Sequence, residues 1–165
     1  MYTIEAKKKI REMGRKAISD EDFNKLLDAH VKFVQSYFKA KPAKGFQPQV
    51  VGVNTKGESI LMLLVDMPDD SEKRLEYFFN MGKRIAQESD FFPVCVMFMS
   101  EAWMRGQAFK GEKIVLPIRD NPAKTEAMIV SGMTIDGRMN MATIPMHKGA
   151  TGVVMLGDPT TTHYK

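Results

Sequence analysis

Glu101, Trp103 and Arg105 follow one another at intervals of two where the apolar run Phe91 to Met99 turns polar, in the stretch Ser100-Glu101-Ala102-Trp103-Met104-Arg105. A strand alternates its faces with period two, so an acid, the chain's one tryptophan and a base share a face at a strand end. Arginine beside an indole holds planar anions by ionic and stacking contacts, and a neighbouring carboxylate accepts from sugar or base groups. That is the chemistry of nucleotide recognition, and ligands meet sheets at strand ends and the loops that follow them. The loop residues Arg119, Asp120, Asn121 and Lys124, with Glu126 entering the next strand, extend the set. The binding residues expected are Glu101, Trp103, Arg105, Arg119 and Glu126. The plainer alternative makes Trp103 a core anchor and Glu101 with Arg105 a surface ion pair.

Glu101 and Glu126 also read as paired carboxylates for acid/base work or for holding Mg²⁺, provided the sheet sets them side by side. No D-x-D, E-x-K or H-x-E spacing supports that reading. His30, His147 and His163 are dispersed, and Cys95 is the sole cysteine, so no zinc signature is present and neither metal nor cofactor is expected. Lys148-Gly149-Ala150-Thr151-Gly152 has the G-x-x-G spacing of a nucleic-acid clamp, but it lies between strands and lacks G-K-[ST], so a hairpin loop accounts for it. There is no nucleophile elbow, dinucleotide fingerprint or kinase set.

The 165 residues fit one domain, 1–165, with a core that needs no disulfide or metal. Cys95, within Val94-Cys95-Val96, reads as a small core hydrophobe, and the lack of a second cysteine favours a reducing, cytoplasmic setting. The longest apolar stretches, Ile60 to Val65 and Phe91 to Met99, are strand-sized, so no membrane span is expected; the N-terminus has neither a signal-peptide core nor transit-peptide character. The net charge of +4 is concentrated in residues 1–18, where Lys7, Lys8, Lys9, Arg11, Arg15 and Lys16 face only Glu5 and Glu12. That basic helix or arm is the one segment with a bulk electrostatic reason to meet phosphates.

These residues must be positioned by few elements. Ser19 caps a helix whose apolar face is Phe23, Leu26, Leu27, Val31, Val34 and Phe38, ending before Pro42. Val50 to Asn54 and Ser59 to Val65 form a hairpin about Lys56-Gly57, the second strand apolar almost throughout and therefore expected to be central. A third helix opens near Asp69 and Glu72 and buries Leu75, Phe78, Phe79, Gly82, Ile85 and Ala86. Residues 106–124 read as a long loop interrupted by Ile114-Val115-Leu116. A hairpin about Asp136-Gly137 and a last strand Gly152 to Leu156 follow, with the tail from Asp158 fraying or packing on a partner. The expectation is an α+β fold: two N-terminal helices packed on one side of a mostly antiparallel mixed sheet, in the order β-β-α-β-β-β-β.

Ser100-Glu101-Ala102-Trp103 closing an apolar strand, followed by Arg119-Asp120-Asn121-Pro122-Ala123-Lys124-Thr125-Glu126 leading into another, resembles bacterial and phage proteins of unassigned activity. Those carry an S-E-A-W strand and a D-P-x-R-x-E turn; Asn121 and Lys124 stand here where they have an acid and an arginine. The likeness spans residues 91 to about 133 and implies a prokaryotic or phage origin. Function is then expected to be that of a non-enzymatic binding protein taking a protein or nucleotide-like ligand near Trp103. A small hydrolase or nuclease using Glu101 and Glu126 comes second, and a nucleic-acid-binding module using the basic first segment third. Exposed strand edges and Ile114-Val115-Leu116 add the expectation of a homodimer.

Overall fold

The computed structural model describes residues 3–68, 70–88, 91, 93–105 and 124–164. In chain order these form α1 (Ile4–Ala17), α2 (Asp20–Ala40), β1 (Gln49–Val53), β2 (Ser59–Leu63), α3 (Ser71–Glu88), β3 (Cys95–Arg105), β4 (Lys124–Thr134), β5 (Met139–Lys148), β6 (Val154–Leu156) and β7 (Thr160–Tyr164). The strands make one sheet in the order β2-β1-β3-β4-β5-β6, with β7 also along the outer side of β5. Each pairing described is antiparallel. The α+β class and the antiparallel sheet agree with the sequence reading, and β7 adds a strand where a tail that frays or packs on a partner was expected.

Helix α2 begins as its capping residue dictates: Ser19 Oγ accepts the Asp22 N–H at 3.1 Å, with Asp20, Glu21 and Asp22 at the positive end of the dipole. Phe23, Leu27, Val31, Val34 and Phe38 form its buried face, one to each turn. This face lies on the sheet against Met97, Met99, Met128, Val130, Ala142 and Ile144. Gly132 makes the approach feasible, since a Cβ there would stand 2.6 Å from the Phe23 ring. Gly57 at φ 76° and Gly137 at φ 87° supply the positive angles of the β1–β2 and β4–β5 turns.

The basic segment folds as α1. Its one buried residue among those described is Gly14, where a Cβ would meet the Asp136 Cβ at 2.5 Å. The glycine that reads as a flaw in the helical pattern is thus the contact point between α1 and the β4–β5 turn.

Two expectations are corrected. Among the described strands β2 lies at the edge, not at the centre, and Leu61 and Leu63 are 58% and 55% exposed. Helix α3 packs through fewer residues than its apolar pattern implies: Phe78 sits edge-on to Phe98 at 5.9 Å, whereas Leu75, Phe79 and Gly82 are exposed. The side chains of Ile85 and Ala86 lie outside the described residues. At the start of α3, Asp70 Oδ1 accepts the N–H groups of Glu72 and Lys73, while Asp69 lies outside the described residues.

Candidate functional site

Pairing of β3 with β4 sets Trp103 opposite Glu126 and Glu101 opposite Met128. Pairing of β4 with β5 sets Glu126 opposite Met146, two residues before Lys148. Residues opposed across a ladder share a face, so Glu101, Glu126 and Lys148 form a diagonal row over three strands on the side that carries α2. The two carboxylates therefore stand on neighbouring strands, as the acid/base reading requires.

Each is engaged. Glu101 Oε1 accepts the backbone N–H of Phe46 at 3.0 Å. Phe46 is buried, with the Tyr37 and Phe38 rings 5.0 and 6.1 Å away, so Glu101 ties the segment after α2 to the sheet. Glu126 Oε2 lies 2.7 Å from Lys148 Nζ. That hydrogen bond raises the Lys148 pKa above its ordinary value against the opposing effect of burial, and the charges of Glu126 and Glu101 add to it. Lys148 thus sets a positive charge beside Glu126, which disfavours a divalent cation at that carboxylate. No group of three or more metal-ligating side chains occurs among the described residues.

The opposite parity of β3 and β4 brings Phe98, Ser100, Ala102 and Ile129 to the side that carries α3. A cleft of about 660 Å³ is lined there by Met67, Arg74, Phe78, Phe98, Ser100 and Ile129, and it also takes in Glu101, Glu126 and Lys148. Aromatic and aliphatic walls with charges of both signs suit a ligand that is flat and apolar in the middle and polar at its margin. Of the site residues expected from sequence, Glu101 and Glu126 line this cleft and the backbone of Trp103 runs beside it. Arg105 closes β3 opposite Lys124. The side chains of Trp103 and Arg105, and the whole of Arg119, lie outside the described residues.

Sequence reasoning missed Lys148, read as part of a hairpin loop, and the α3 contribution of Arg74 and Phe78. It also missed a polar assembly around a second cavity, of about 590 Å³, between the α1–α2 junction and the β4–β5 turn. There Arg138 donates to Asp136, Asp20 and the carbonyl of Ile18, and Asn140 joins Asn24 to His163. The Asp136-Gly137 turn dipeptide was the only local signal of that assembly. No protein-family model, curated protein or solved structure matches this chain, and no described helix is long and apolar enough to cross a membrane.

Proposed function

We propose that the chain is a non-enzymatic binding protein that takes a nucleotide-like ligand, or a protein group of similar shape, in the cleft between α3 and the β3–β4 face. One observation carries the reading: the strand end singled out by Glu101 and Trp103 coincides with a cleft of about 660 Å³, within the size range of small-molecule sites. Phe78, Phe98 and Ile129 offer apolar contact to a base, while Arg74 of α3 offers positive charge to an anionic group. Engagement of both carboxylates favours binding over hydrolysis. A reducing cytoplasmic setting and a prokaryotic or phage origin belong to the same proposal, supported by the lone buried Cys95 and the S-E-A-W likeness.

Trp103 is the only tryptophan and its backbone pairs with that of Glu126, so intrinsic emission is a single-residue probe with which to test the reading. Titration with nucleoside mono- and triphosphates should shift it, and Ile129→Arg should abolish the shift while leaving the melting temperature close to that of the parent. Absence of any emission change or heat for each of the common nucleotides at about 1 mM overturns the nucleotide reading. Exposed Lys7, Lys8, Lys9, Arg15 and Lys16 on α1 favour a second reading, binding of nucleic acid. Its mark is an affinity that falls steeply with salt and vanishes when residues 1–18 are removed.

A further inference from the structure

We propose that β2 pairs with β2 of a second copy of this chain, antiparallel about a two-fold axis at Leu61, so that two sheets become one. This interface is independent of the ligand reading.

Strand β2 has a neighbour on one side only among the described residues. Its even-numbered residues turn their backbone groups inward: Asn54 N–H donates to the Glu58 carbonyl, and Leu64 N–H donates to the Pro48 carbonyl. Antiparallel strands alternate inward and outward groups, so Ser59, Leu61 and Leu63 direct their N–H and C=O groups to the open edge. An identical strand running the other way presents the matching set, which is the self-complementarity a two-fold interface needs.

The side chains agree. Edge strands are ordinarily guarded by lysine, proline, a bulge or an inward charge, and Ser59-Ile60-Leu61-Met62-Leu63-Leu64-Val65 carries none of the first two and no charge at all. Leu61, Leu63 and Val65 are 58%, 55% and 59% exposed, and Phe33 of α2 adds a half-exposed ring. The central position expected of this strand, not found in the single chain, is met once a second copy continues the sheet.

Charge selects the register. With an axis at Leu61, Lys56 in the β1–β2 turn of one copy and Asp66 just past β2 of the other, each five residues from the centre, come to the same end of the paired strands; both are exposed. Moving the axis to Met62 sets Glu58 against Asp66, two like charges. Moving it to Ile60 sets Lys56 against Leu64 and Asp66 against Asn54, and the charge pair is lost.

The test is sedimentation of the whole 165-residue chain at low salt. The parent should be a dimer at tens of micromolar, about the level of ordinary assays. Lys56→Asp and Asp66→Lys should each weaken self-association at least about tenfold while the far-ultraviolet spectrum and melting of the fold persist. An equimolar mixture of the two variants should recover dimer, as heterodimer, because each Asp then faces a Lys. Leu61→Lys, which sets two ammonium groups at the axis, should give monomer. A monomeric parent, or a dimer indifferent to all three substitutions, or a mixture that fails to recover, overturns the proposal. None of these outcomes bears on nucleotide binding, which is read from Trp103 emission.

Discussion

Arg138 Nε donates to both carboxylate oxygens of Asp136, at 3.1 and 2.9 Å, across the single glycine between them. The Asp136 side chain is 2% exposed and also accepts from Thr134 Oγ1 at 2.6 Å. The same guanidinium reaches Asp20 Oδ1 at 2.7 Å and the Ile18 carbonyl at 2.7 Å, so one side chain joins the β4–β5 turn to the end of α1 and the start of α2. A cation at the carbonyl end of α1 also meets the negative pole of that helix.

Removing either partner leaves a charge with little water around it. Arg138→Ala and Asp136→Ala should each cost about 3 kcal/mol, read as a lower urea midpoint. Arg138→Lys should recover only part of that loss, because an ammonium cannot reproduce the planar fork. A loss within the range of ordinary surface changes, about 0.5 kcal/mol, would show that the assembly is dispensable.

Acid should weaken the same assembly. Burial would raise the Asp136 pKa, but the hydrogen bonds from Arg138 and Thr134 and the Arg138 charge outweigh it and hold the group below its ordinary 3.8. A carboxyl depressed on folding stabilises the fold fully above its unfolded value and loses that contribution as pH falls through its folded one. Stability measured against pH should therefore drop below about pH 4, and Asp136→Asn should flatten that part of the curve.

Gly14→Ala separates helix propensity from tertiary packing. Alanine is the better helix former by about 1 kcal/mol, yet its Cβ would meet the Asp136 Cβ at 2.5 Å. The expected result is a lower melting temperature, with α1 prised from the turn. A higher one would show that α1 does not rest on Asp136.

Glu101 has a structural duty distinct from any ligand. Glu101→Gln retains an acceptor for the Phe46 N–H and should leave stability almost unchanged, whereas Glu101→Leu should cost about 1–3 kcal/mol by orphaning a buried donor. Equal losses in denaturant from the two variants would exclude the hydrogen bond as the cause.

Cys95 should behave as core. Burial pushes its thiol up to about 12, with Arg138 pulling slightly the other way, so the thiolate is scarce at pH 8. Iodoacetamide should modify it only after unfolding; fast labelling of the native chain would mean that β3 opens readily.

What sequence determined for this protein is what short-range physics controls. Ser19 with its three acids marks the start of α2, the 3.6 spacing from Phe23 to Phe38 marks its buried face, and Gly57 and Gly137 mark the two tight turns. Period two set Glu101 on one face of its strand with positions 103 and 105, because alternation belongs to the strand itself, but did not say which face meets α2. Strand order does not: β3 lies between β1 and β4 and sends β2 to the edge, an outcome of packing between distant segments, which the apolar run of β2 could not reveal. The partners of Glu101 and Arg138 were equally invisible. One is a backbone N–H 55 residues away, the other a carbonyl 120 residues away, and main-chain groups leave no mark in residue type. Tertiary structure alone decided that the acid of the S-E-A-W strand holds a loop, that a lysine from a hairpin end neutralises its neighbour, and that α3 walls the cleft beside them, since each depends on contacts made only after the chain has closed on itself.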